Sequence, residues 1–171
     1  MVVKVGDLLV GAAVGYAASR VMDQATTWFY GQQSEASRRR EDTLAPGGAP
    51  MAAGRTLAGW VGAAVTDDQA AMIGFRVHRA LGMTYGAGAA LLVKAGVRPL
   101  VAGIATGAGA FVLVDEGVNS ALFTPPPQAY MMESHLRGVV GHAVYGVALG
   151  AMLAVASRLR LLGRDQLAGR R

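Results

Sequence analysis

The sequence predicts an all-α integral membrane protein, a four-helix bundle with a long loop between its first and second helices. Three observations lead there. Of the 171 residues, 53% are hydrophobic and only 16% are charged, whereas a soluble domain carries about 25% charged residues. There are 24 glycines, and these recur inside apolar segments. A glycine costs about 1 kcal/mol in a water-exposed helix relative to alanine, so helical glycines at spacing four point to close helix packing inside a bilayer. Finally, the phrase His-x-x-x-Gly-x-x-x-Gly-Ala occurs twice, as His78, Gly82, Gly86, Ala87 and as His142, Gly146, Gly150, Ala151. Residues four apart share a helix face, so each copy places one imidazole at the head of a glycine stripe.

The chain reads as a single membrane domain over residues 1–171. Lys4 and Asp7 precede the first apolar run, and Ser19-Arg20-Val21-Met22 ends it without a small-x-small cleavage site. That run is expected to be a retained helix over about 5–29, lined by Gly11, Gly15 and Ser19. A loop over 31–68 follows. Its Arg38-Arg39-Arg40 reads as a solvated charge run and Pro46-Gly47-Gly48-Ala49-Pro50 as a turn cluster. Met51–Val65, mildly apolar around Trp60, is expected to lie along the membrane surface. The second helix is expected over about 70–93, and Lys94–Arg98 forms a tight turn. Pro99 suits the first turn of a third helix over about 100–123, lined by Gly103 and Gly107. Thr124-Pro125-Pro126-Pro127 ends it, because proline cannot continue a helix. A fourth helix covers about 136–158, before a basic tail over 159–171. Of the uncharged runs only Gly138–Ser157 reaches the roughly 20 residues of a spanning helix, and the other three extend past a charge.

Four spans put both termini on one side, with Lys4, Lys94, Arg98, Arg158, Arg160, Arg164, Arg170 and Arg171. Nine of the eleven acidic residues fall on the other side. The bias in short loops places both termini in the cytoplasm of a multi-pass inner-membrane protein. The net charge of +5 does not signal nucleic acid, because the arginines sit at segment ends and in loops and no basic helix interleaves with aromatics. There is no cysteine, so disulfides and thiolate metal sites are excluded.

Counting from the cytoplasmic charges locates one polar level. Arg20 lies 16 residues from Lys4, His78 16 from Lys94, Glu116 18 from Arg98 and His142 16 from Arg158. These distances correspond to roughly 24–27 Å along each helix, a turn or less below the outer surface. Asp23, Arg76, Arg79, Asp115, Asn119, Glu133, His135 and Arg137 belong to the same end. Arg76, Arg79 and Arg137 are expected to snorkel to the interface. Asp115 and Glu116 are too short for that, and should face the bundle interior and find partners among His78, His142, Arg20 and Arg79. The sharpest expectation is that His78, Glu116 and His142 meet. A structural ion-pair cluster and a proton or ligand site explain these residues equally well.

Several phrases appear in order along nearly the whole chain: Val21-Met22-Asp23-Gln24, Arg40-Glu41-Asp42 with Pro46-Gly47-Gly48, His78 with Tyr85-Gly86, Asp115-Glu116 with Asn119, and His135-Leu136-Arg137-Gly138 leading to His142. Together they resemble the YagU-type family of bacterial inner-membrane proteins, a domain of unknown function. The resemblance implies an inner-membrane helical protein associated with survival at low pH, without an established chemistry. It adds weight to Asp23, His78, Asp115, Glu116, Asn119, His135 and His142 as one functional set.

The leading functional expectation is a small membrane protein whose outer His/carboxylate cluster binds protons or a small ligand. A free imidazole titrates near pH 6.5, in the range an acidified outside compartment would cross. No cofactor is predicted. One alternative is haem b, with His78 and His142 as axial ligands and the following glycines admitting the macrocycle. Another is zinc on His78, His135 and His142 with a carboxylate. A third is an accessory subunit of a larger membrane complex, or a homo-oligomer, held by the lipid bilayer. No catalytic residue is assigned, since the sequence holds no nucleophilic triad and no phosphate loop.

Overall fold

Local capping and turn signals mark where most of the helices begin and end. The computed structural model describes residues 3–162 and contains no strand among them; the tail residues 163–171 lie outside the described residues. Helix α1 runs Val5–Gln32, and its first turn is tied by the Asp7 carboxylate, which accepts the Lys4 backbone N–H at 3.0 Å. Helix α2, Glu35–Leu44, starts where the Ser34 hydroxyl accepts the Ser37 N–H. Gly47 and Gly48 both have positive φ, a conformation that favours glycine, and they turn the chain into α3, Gly48–Trp60. Helix α4, Asp67–Lys94, opens with a Thr66/Gln69 capping box, and Asp67 and Asp68 suit its N-terminal dipole. Gly96, at φ +97°, closes α4 and leads to α5, Pro99–Leu122. Helix α6 covers Met132–Arg158.

The segment read as a loop is therefore two helices. Charge-rich α2 keeps helical shape through its Ser34 cap and the Glu35–Arg39 pair one turn apart. In α3, small residues let it dock on α4: Gly54 abuts Ala70, and Pro50 abuts Gly74. The four long helices follow the expected boundaries to within a few residues. Three of them, α1, α5 and α6, are long and apolar enough to cross a membrane. Helix α4 is 28 residues long, but Asp67, Asp68, Arg76, Arg79 and Lys94 dilute its apolar character.

Glycines decide the packing. A Cβ on Gly11 would lie 2.7 Å from the Gly86 carbonyl oxygen, and one on Gly15 would strike the Gly82 carbonyl, so α1 and α4 run antiparallel with their backbones touching. The second pair repeats this. Gly103 and Gly107 of α5 press on the backbone at His142, Gly146 and Gly150 of α6. Helix α1 also packs along α6, and α4 touches α5. Tyr145 stitches the two pairs together, donating its hydroxyl to the Gly82 carbonyl at 2.8 Å.

The distribution of side chains is inverted relative to a water-soluble bundle. The buried core is mostly alanine (Ala18, Ala70, Ala89, Ala90, Ala102) with Leu149 and Leu153, while Leu9, Phe75, Ile104, Val112, Leu113, Val147 and Val155 face outward. Leu113 is 68% exposed and Val112 60%. Such contiguous apolar exposure in water would be strongly unfavourable at about 25 cal/mol per Å².

Candidate functional site: a layer of His–carboxylate pairs

The polar residues collect at one end of the long helices, where α1 and α5 finish and α4 and α6 begin. Each of the three histidines there has its own carboxylate. On the α1/α4 side, Asp23 Oδ1 lies 3.2 Å from His78 Nε2, and Asp23 Oδ2 is bound by the Arg79 guanidinium. Arg79 also donates to the Ser19 hydroxyl at 2.9 Å and sits 5.7 Å from the Tyr16 ring centre. Ser19 itself belongs to the glycine stripe of α1, so the packing seam runs directly into the polar end.

On the α5/α6 side the pairs depend on a local change of helix type. From Phe111 to Asn119 the helix is π-helical, a wider turn with i→i+5 bonding that occurs often at functional sites. It carries the adjacent carboxylates Asp115 and Glu116 to different partners on α6. Asp115 Oδ2 lies 3.5 Å from His142 Nδ1, whereas Glu116 Oε1 lies 3.0 Å from His135 Nδ1. His142 Nδ1 also approaches the Gly138 carbonyl at 3.0 Å, and His135 Nε2 the Pro127 carbonyl at 3.0 Å. Asn119 donates to Asp115 Oδ1 at 3.2 Å. Gly138 makes room for this arrangement, since a Cβ there would meet the Phe111 ring at 2.9 Å and Asp115 at 3.5 Å. The Phe111 and His142 rings are 5.7 Å apart, tilted by 55°.

A fourth node roofs the layer. Glu41 of α2 accepts from Arg137 at 2.6 Å, from the Ser134 hydroxyl at 2.6 Å and from the Gln33 amide at 2.6 Å. Glu133 accepts from both the N–H and the hydroxyl of Ser34, at 2.7 and 3.0 Å. Arg40 donates to the Ala129 carbonyl at 2.9 Å. Together these bonds fix α2 onto the start of α6. Tyr130 lies between α5 and α6; burial pushes its phenol above the ordinary range, a Thr124 hydrogen bond works against this, and the Glu41 charge adds to it.

The seven residues singled out in the sequence, Asp23, His78, Asp115, Glu116, Asn119, His135 and His142, all stand in this layer. Their pairing differs from the expectation. Glu116 bonds to His135 rather than to His78 or His142, because the π-helical turn directs Asp115 to His142 and leaves Glu116 beside the first turn of α6. The Asp115 carboxylate still lies within electrostatic reach of His78, Glu116 and Arg137, so the pairs adjoin. Arg79 and Arg137 do not snorkel; each holds a carboxylate.

Sequence reasoning missed Glu41, Ser134 and Gln33, because their region read as loop. It also passed over Asp7 and Lys94. At the opposite end of the bundle these two form an ion pair at 3.4 Å, with side chains only 2% and 4% exposed. The signal was present, in two opposite charges at the paired ends of α1 and α4.

The geometry bears on the cofactor alternatives too. Among the described residues no three His, Asp or Glu side chains converge as a metal site, each histidine being taken by its own carboxylate. The glycines following His78 and His142 are filled by neighbouring helices, Gly82 by Ser19 and Gly146 by Gly103. Chemically, the layer can take up protons on three imidazoles, each already facing an acceptor. No known protein family, curated protein or solved structure matches the chain.

Proposed function

We propose that the chain is a multi-pass membrane protein whose His–carboxylate layer acts as a proton-responsive clasp on the outer face. In this reading α1, α4, α5 and α6 form a four-helix bundle that crosses the bilayer, both termini are cytoplasmic, and α2 and α3 cover the outer end. The inverted packing supports membrane placement, because alanine and glycine in the core and large apolar side chains outside suit a lipid solvent. Helix α4 then crosses with its polar face turned to α1 and its buried Lys94 matched by Asp7. The YagU-type resemblance, with its association with acid survival, fits the same reading.

The single observation that carries the clasp is that all three histidines of the chain face a carboxylate, at 3.2, 3.0 and 3.5 Å. Protonation of an imidazole adds a charge–charge attraction to each of these contacts. In this reading the layer tightens as the outside compartment acidifies. Hydrogen exchange in detergent tests this: backbone amides over 119–135 should exchange more slowly at pH 5.5 than at pH 7.5 by about threefold or more, and the difference should disappear in the double variant His135→Gln, His142→Gln. Identical exchange at the two pH values would refute the clasp. Orientation has its own test, since reporters fused at Arg171 and within Ser34–Ala49 should label opposite sides, with the Arg171 reporter cytoplasmic.

A further inference from the structure

Beside the Asp23–His78 pair, α1, α4 and the start of α3 enclose a half-open cleft of about 520 Å³. Arg20, Asp23, Thr27, Phe75, His78 and Arg79 are among its walls. Its charge is unbalanced. Both oxygens of Asp23, its sole acid, are already engaged by His78 and Arg79, so Arg20 is left over. Among the described residues Arg20 makes no hydrogen bond and no ion pair, although it is exposed in the middle of a helix long and apolar enough to cross a membrane. An unpaired guanidinium that opens on a cleft has its N–H donors free to take an anion. The Thr27 hydroxyl lies exposed in the same cleft and makes no hydrogen bond. Phe75, 52% exposed, supplies an apolar wall, and Trp28 is exposed on the adjacent surface of α1.

We infer that this cleft binds a phosphate-bearing anion, with Arg20 as its main ligand, Thr27 as a hydroxyl donor and Arg79 adding positive charge. Guanidinium presents two parallel N–H groups that match two phosphate oxygens. The side opening and the apolar wall suit a phosphodiester attached to an acyl-bearing glycerol, and inorganic phosphate shares the same chemistry. The inference deepens the reading of this end as a functional layer, but it does not depend on pH or on orientation.

The test uses the full chain in detergent at a fixed pH of 7.5. Native mass spectrometry would count phosphatidylglycerol retained against phosphatidylcholine with the same acyl chains, and phosphorus NMR would titrate inorganic phosphate. Expected is selective retention of phosphatidylglycerol, weakened about tenfold or more in Arg20→Gln, as for loss of one charge-assisted contact. Arg76→Gln, which removes an exposed arginine of α4 that does not line the cleft, should leave retention unchanged. Arg20-dependent binding of inorganic phosphate without lipid selectivity would also support the site and assign it a soluble ligand. Binding of neither probe, or equal binding by wild type and Arg20→Gln, overturns the inference, while the clasp would still be decided by its exchange experiment.

Discussion

Helices α4 and α6 carry the same His-x-x-x-Gly-x-x-x-Gly-Ala phrase, yet the two copies end in different electrostatic surroundings. In both, the glycines serve one purpose, bringing a neighbouring backbone into contact: α1 against α4, and α5 against α6. The histidines diverge. The carboxylate facing His78 is also held by Arg79, a permanent cation, so Asp23 is compensated whether or not the imidazole carries a proton. The carboxylate facing His142 receives only the Asn119 amide besides the imidazole, and no arginine bonds to it. The same sequence phrase thus yields an anchor held by arginine on one side and a contact without a bonded arginine on the other.

The common part of the comparison gives the largest expected effect. Gly103→Leu must push α5 away from the Gly146 and Gly150 backbone, and Gly15→Leu must push α1 away from Gly82 and Gly86. Each should cost about 3 kcal/mol or more, read as a large drop in thermal stability in detergent. Gly109→Leu and Gly88→Leu point into open space and should stay within about 0.5 kcal/mol of wild type. If all four behave alike, the glycine seams do not hold the bundle.

The divergent part predicts an asymmetry between carboxylates. At pH 7.5, Asp23→Asn leaves the Arg79 guanidinium, 17% exposed, without its anion, and should destabilise by about 1–3 kcal/mol. Asp115→Asn removes a carboxylate to which no arginine bonds, and should cost less. Thermal unfolding of the two variants side by side would decide, and a larger loss in Asp115→Asn would overturn the assignment of Asp23 as the anchor.

A smaller effect sharpens the same point. Wild type should gain about 1 kcal/mol of stability between pH 7.5 and pH 5.5, because ion pairs form only when the imidazoles are charged. Asp115→Asn should lose part of that gain, the Glu116–His135 pair keeping the rest, whereas Asp23→Asn should keep it. The smallest expected change concerns the covering helices. The Trp60 and Phe123 rings, 5.9 Å apart, join α3 to the end of the α5 segment. Trp60→Ala should lower stability by only about 0.5 kcal/mol, but should speed hydrogen exchange at the end of α5 relative to the glycine seams.

Much of this was legible because it depends on periodicity and length. The four long helices, their glycine faces and the matched level of Arg20, His78, Glu116 and His142 follow from spacing alone, since rise per residue is fixed and residues four apart share a face. Helices α2 and α3 were not legible. A charge run and a string of small residues have weak helical patterns, and these acquire shape by docking, α2 through Glu41 on α6 and α3 through Gly54 on α4. Which carboxylate meets which histidine was also hidden, because a π-helical stretch rotates Asp115 and Glu116 away from where an ideal α-helix would point them. The sequence by itself therefore determined the four long helices, their contact faces and the level of the polar layer. Only the tertiary structure decided the partners, because a hydrogen bond is made or lost over less than an ångström and about 30° of rotation, finer than any periodicity specifies.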